Sequence, residues 1–146
     1  MQINKYTTVL IRDRTVSYNA NKLDSSKAVR EVLCKLFHAD RLPTERFWQI
    51  CLNSQLRAVG AFKNASGGTT FCMADVASIA RNALLTGAYG VVIAHNHPSG
   101  CLEPSNDDIK LTKQTKQALA LLGIQLVDHV IITSGGYYSF KENRKL

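Results

Sequence analysis

The 146-residue chain reads as a layered α/β domain. Three observations predict this. Strand-like runs alternate along the chain with segments of helical spacing. Gly90–Ala94 is an unbroken apolar run, the pattern of a buried strand. The helical segments carry their own start or stop residues.

Taken in order, Thr7–Ser17 alternates apolar and polar residues and predicts one long strand or a strand pair. Asn19–Asp24 is a turn. Ser25–Phe37 places Val29, Val32, Leu33, Leu36 and Phe37 on one helical face, with Asp24 or Ser25 as cap. Phe47–Leu52 and Leu56–Phe62 predict a hairpin turning at Asn53-Ser54-Gln55, and Asn64–Gly68 is a loop. Ala74–Leu85 is a helix with Val76, Ile79, Ala80, Ala83 and Leu84 on one face, ended by Gly87. The apolar strand follows. A loop over Pro98–Pro104 leads to a third helix, Asn106–Leu122, stopped by Gly123. Gln125–Thr133 is a strand, and Ser134-Gly135-Gly136 turns into Tyr137-Tyr138-Ser139.

No repeat, linker or low-complexity tract divides the chain, so residues 1–146 read as one domain. There is no apolar stretch of membrane-spanning length and no signal-peptide core, so a cytoplasmic protein is expected. Cys34, Cys51, Cys72 and Cys101 form no CxxC pair and read as free thiols, two or three of them in the core. The net charge of +7 suits nucleic acid or an acidic partner, but its dispersal favours a solvated basic surface. Trp48 reads as core.

His95-Asn96-His97-Pro98, then Ser105 and Asp108, carry the chemistry within fourteen residues. Strand side chains alternate, so His95 and His97 face the same way. Pro98 lacks an N–H and ends the ladder, which leaves the pair at a strand exit. Two imidazoles and a carboxylate make a three-ligand zinc set with a fourth position for water. Each part also has a plainer reading. Ser105-x-x-Asp108 matches a capping box, and two histidines can be a polar strand end. Asp107 reads as solvent-facing. Asp128-His129 reads as an interior polar contact, or as a carboxylate orienting a zinc-bound histidine. The adjacent letters His-Asn-His are not an HNH nuclease site, whose residues are dispersed over a ββα-metal element.

His95-Asn96-His97-Pro98-Ser99-Gly100 and Glu103-Pro104-Ser105-Asn106-Asp107-Asp108 resemble the His-x-His-Pro…Ser-x-x-Asp signature of JAMM/MPN-type (JAB domain) metalloproteins. With Leu122-Gly123-Ile124 and Asp128-His129-Val130-Ile131-Ile132, the resemblance is specifically to the RadC branch, from about Leu23 to the C-terminus. It implies a cytidine-deaminase-like layered fold with a mixed sheet between helices. It implies one zinc per chain, held by His95, His97 and Asp108. It also implies an upstream glutamate as proton acceptor, and Glu45, just before Arg46–Leu52, occupies that place. The family's serine, an oxyanion donor, corresponds to Ser105. Cys101, in the loop after the motif, brings a thiol near the site that could compete for zinc, but the three-ligand set is complete without it.

The activity so implied is a zinc metallopeptidase or isopeptidase acting on a peptide or protein substrate. The alternative implied by the RadC likeness is a DNA-repair-associated accessory protein with a non-catalytic zinc. The helix-hairpin-helix region of longer RadC proteins has no counterpart here, so any DNA binding is expected to be weak and non-specific.

Overall fold

The computed structural model describes residues 3, 7, 9–17, 22–66 and 75–146. Among them the order is α1 (Ser26–Phe37), β1 (Arg46–Leu52), β2 (Ala58–Ser66), α2 (Val76–Leu85), β3 (Gly90–Asn96), α3 (Asn106–Leu121), β4 (Gln125–Ile132) and β5 (Tyr137–Ser139). The strands form one sheet in the order β2-β1-β3-β4-β5. β3 and β4 run parallel, joined by the α3 crossover, and the other neighbours are antiparallel. The expected mixed sheet between helices is therefore present.

Period-two alternation divides the core. Trp48, Ile50 and Leu52 of β1, with Val92 and Ala94 of β3, meet Val29, Val32 and Leu33 of α1. Phe47, Cys51, Val91 and Ile93 point the other way, onto Ile79 and Ala83 of α2 and Leu119 of α3. Both faces of β1 and β3 are covered, which is why these strands read as continuous apolar runs. Trp48 is core, as expected, at 1% exposure.

The helix ends follow their capping chemistry. Ser25 accepts the Ala28 N–H at the start of α1. Asp75 accepts from Ala77 and Ser78 at α2. Gly87 and Gly123 follow α2 and α3 with φ of 61° and 70°, conformations that glycine adopts without strain.

Several expectations need correction. Residues 9–17 form no strand, and Val9 and Ile11 are 69% and 88% exposed. Alternation makes a strand only where a ladder partner is present, and among the described residues this segment has none. Leu56 has a φ of 59°, which a strand cannot contain, so β2 starts at Ala58 rather than Leu56. β2 also continues through Asn64–Ser66, which were expected in a loop, because β1 offers a partner as far as Arg46↔Ser66. Asn19, Gly67, Gly68, Cys72 and Ala74 lie outside the described residues.

β4 carries an irregularity that sequence does not reveal. Val91 pairs with Leu126 and Val92 with Asp128, so Val127 is an extra, bulged residue. The bulge reverses the alternation. Asp128 faces α1, and His129 comes to the same face as Ile93 and His95. Gly90 permits it: a Cβ there would lie 2.7 Å from Val127 Cγ2.

Candidate metal centre

The site forms where the end of β3, the start of β1 and the N-terminus of α3 meet. Phe47 pairs with His95 across β1 and β3, and extending that antiparallel register two residues brings Glu45 opposite His97. Glu45 is exposed; His95 is 1% exposed. Ligand-type atoms of Glu45, His95 and His97 all lie within 4.8 Å of one another.

Asp108 enters from the first turn of α3. Its Oδ1 is 3.1 Å from His95 Nε2, and its Oδ2 is 3.7 Å from His97 Nε2. The capping box is real: Ser105 Oγ accepts the Asp108 N–H, and Asp108 Oδ2 accepts the Ser105 N–H at 2.8 Å. Ser105 Oγ also donates to Oδ2 at 2.7 Å. The plain reading and the functional one thus coincide, because the cap is what aims the carboxylate. Asp107 is exposed, as expected.

The protons on the histidines can be assigned from their partners. His97 Nδ1 lies 2.7 Å from the Cys101 carbonyl, which only accepts, so Nδ1 carries the hydrogen. The Thr112 hydroxyl donates to the Asp108 carbonyl at 2.6 Å. That hydroxyl has one proton, so it must accept from His129 Nδ1, also 2.6 Å away. His129 Nε2 is then an acceptor, and His95 Nδ1, at 2.9 Å, donates to it. Both outer nitrogens, His95 Nε2 and His97 Nε2, present lone pairs 2.9 Å apart beside a carboxylate. Acceptors that close require a positive species among them, a proton or a metal ion. The donor set of imidazole nitrogen and carboxylate oxygen suits zinc.

The electrostatics agree. Hydrogen bonding to Asp108 raises the His97 pKa, burial opposes this, and the Cys101 carbonyl and the charges of Asp108 and Glu45 add to the rise. Burial pushes the Asp108 carboxyl up, but the neighbouring His95, His97 and Ser105 side chains hold it well below the usual carboxylate range. Burial depresses the His129 pKa, with the His95 charge adding to it, so the ring stays neutral.

A cleft of about 440 Å³ opens beside His97, bounded also by Arg41, Pro43, Pro98, Thr133 and Ser134. A larger concavity of about 880 Å³ lies between residues 10–16 and β2, but among the described residues no histidine or cysteine lines it. Of the candidate site residues, His97 lines the smaller one.

Of the residues singled out from sequence, Glu45, His95, His97, Ser105 and Asp108 are brought together. Cys101 contributes its carbonyl, while its exposed thiol is outside the cluster. Cys51 is buried and Cys34 half-buried against the core. Asp128 does not orient a histidine ring. It accepts from Ser26, Ser139, the His129 N–H and the Lys141 N–H.

Sequence reasoning missed Thr112 and named His129 and Asn96 without the partners that they take. His129 and Thr112 form the chain behind His95. Their signal was a polar inner stripe on α3, where Asp108, Thr112 and Thr115 are all buried. Asn96, between the two histidines, faces away from them. Its Oδ1 accepts the Arg46 N–H at 2.7 Å and its Nδ2 donates to the Thr44 carbonyl at 3.1 Å, which clamps the segment bearing Glu45.

Comparison with known proteins gives the family. The family model described as "RadC-like JAB domain" matches residues 23–146. A UPF0758 protein of Thermotoga maritima is 37% identical over 125 residues, covering 86% of this chain and 55% of the relative. One from Flavobacterium johnsoniae is 36% identical over 119 residues, covering 82% and 51%. One from Acinetobacter baumannii is 43% identical over 102 residues, covering 70% and 43%. The chain spans about half the length of these curated relatives.

Proposed function

The chain belongs to the RadC-like JAB domain family, and from that premise we propose that it is a zinc-dependent hydrolase of peptide or isopeptide bonds. The observation that carries the proposal is the convergence of two imidazole lone pairs and a carboxylate beside an exposed glutamate. His95, His97 and Asp108 are assigned to hold one zinc. When bound, zinc supplies Lewis-acid polarisation of the scissile carbonyl and lowers the pKa of the attacking water toward ~7.

The chain's own groups do the rest. Glu45 takes the proton of the attacking water and passes it to the leaving amine; its exposure at the mouth of the site suits both transfers. Asn96 holds the backbone that carries it. Ser105 is assigned to the tetrahedral oxyanion, reached by turning its hydroxyl proton away from Asp108. The Ser105 N–H remains on Oδ2 through that turn, so the carboxylate keeps its aim. The cleft beside His97 offers the substrate a place. A cytoplasmic setting, which keeps the thiols reduced, belongs to the same proposal.

The test has two arms. Elemental analysis of purified protein should give one zinc per chain. Profiling of new N-termini and isopeptide cleavages should separate wild type from Glu45→Gln, with hydrolysis falling by ~10²-fold or more and zinc unchanged. Protein that neither contains nor takes up zinc would sink the metal assignment. Full turnover by Glu45→Gln would sink the role of Glu45.

A further inference from the structure

The hydrogen-bond chain behind His95 begins and ends on one residue. The Asp108 carbonyl takes the Thr112 hydroxyl proton, Thr112 takes the His129 Nδ1 proton, and His129 Nε2 takes the His95 Nδ1 proton. His95 Nε2 then faces Asp108 Oδ1 at 3.1 Å, which closes the ring of contacts. Every member is buried: Thr112 at 3% exposure, His129 at 0% and His95 at 1%. Packing sets the ring planes. His129 stacks on Phe140 with centroids 4.7 Å apart and planes 7° apart, and His95 lies parallel to Phe47 at 6.0 Å.

Two proton arrangements would satisfy three linked imidazole and hydroxyl groups. In one, each proton points toward the site, and His95 Nε2–H donates to Asp108. In the other, each proton points away, and His95 Nε2 is a lone pair. Acceptors stand at both ends of the chain, the Asp108 carbonyl 2.6 Å from the Thr112 hydroxyl and Asp108 Oδ1 3.1 Å from His95 Nε2. The shorter contact at the Thr112 end favours the arrangement polarised away from the site, and a metal ion on the His95 lone pair would favour it further.

We infer that His129 and Thr112 are positioning residues that fix His95 in its Nδ1–H form, so that its Nε2 is a ready ligand. The inference rests on the metal reading above and deepens it. Neither residue touches the ion; each acts through His95. Partners of this kind typically change metal affinity by ~10- to 100-fold when removed. The geometry also explains why His129 is a histidine. It must accept on one side and donate on the other at a fixed distance, with a flat ring that packs against Phe140. Leucine fills similar space and can do neither. Glutamine can do both, through its carbonyl oxygen and its amide.

Four variants test this: Thr112→Val, Thr112→Ser, His129→Leu and His129→Gln. Zinc affinity is read by competition with a chromophoric chelator, and ligand geometry by the visible spectrum of the cobalt-substituted protein. His129→Leu should lose ~10- to 100-fold in zinc affinity and shift the cobalt bands. Thr112→Val should lose less. Thr112→Ser and, in part, His129→Gln should restore binding. A buried histidine with a merely structural role would not give that rescue by hydrogen-bonding capacity.

A third measurement needs no metal. Nitrogen-15 shifts of histidine-labelled, metal-free protein should show His95 protonated on Nδ1 in wild type. That preference should be lost in Thr112→Val, which changes volume little. Wild-type zinc affinity in folded His129→Leu and Thr112→Val would overturn the inference, as would an unchanged His95 tautomer in Thr112→Val. A wild type that binds no zinc yet shows a Thr112-dependent tautomer would sink the metal reading and leave this inference standing.

Discussion

At the scale of single residues, the site is a contest between a proton and a metal for the same lone pairs. His97 makes the contest measurable, because its pKa lies above the ordinary 6.5 through its bond to Asp108. In metal-free protein, protonated His97 therefore adds stability that is complete below about 6.5 and is lost as pH rises through the raised value. Zinc needs the neutral ring. Its affinity should be full above the raised pKa and fall about tenfold per unit below it, since one proton must leave. Melting temperatures at pH 6 and 8, with and without chelator, check the pair of signs. The zinc-loaded protein should gain from the higher pH and the chelated protein should not. The same sign in both would show that zinc is not binding at His97.

Asn96 gives a second residue-scale lesson. The sequence His-Asn-His draws attention to its outer letters, yet the middle one holds Arg46 and Thr44 in place. The strand alternation that puts two imidazoles on one face necessarily sends Asn96 to the other. There it reaches the segment that carries Glu45.

At the scale of elements, the decisive feature is the bulge at Val127. Without it, Asp128 would share a face with Leu126, and His129 would face α1. Gly90 makes room for it, so Gly90→Ala should press on a stiff β-branched neighbour 2.7 Å away. The expected loss is ~1–3 kcal/mol, read from urea unfolding. Adding Val127→Ala should relieve the clash, so that the double variant loses less than the sum of the singles. Strict additivity would mean that the two sites do not press on each other.

At the scale of the whole molecule, Asp128 fastens layers together. Buried at 3% exposure, it accepts from Ser26 of α1, Ser139 of β5, the His129 N–H and the Lys141 N–H beyond β5. Asp128→Asn turns an amide against donors that a carboxylate had satisfied. About 3 kcal/mol of stability should be lost, with cooperative unfolding retained, as measured by denaturant titration. A loss below 0.5 kcal/mol would show that water or rearrangement replaces these bonds.

The charge of +7 also acts at this scale. We propose that any DNA binding is weak and sequence-independent. It should fall steeply with salt, on a log–log slope set by the few phosphates contacted, and survive zinc removal. Anisotropy titrations at two salt concentrations, with and without chelator, check this. Tight binding at physiological salt with preference for one sequence would instead favour the DNA-associated reading. Among the described residues no helix is long and apolar enough to cross a membrane.

The linear chain by itself determined the layered α/β class, the helix caps and the strand exit at His95 and His97. Each follows from local rules: periodicity, capping chemistry and the missing N–H of Pro98. The Ser105-x-x-Asp108 spacing announced a helix start, and that start is what aims the carboxylate. Tertiary structure alone decided where the alternating segment at 9–17 and the ends of β2 would lie, because a ladder depends on a partner distant in sequence. It alone joined Thr112 to His129 and His129 to His95, residues 17 and 34 apart along the chain. A bulge is one residue of slip between two strands, and periodicity read along one strand carries no record of how it pairs with the next.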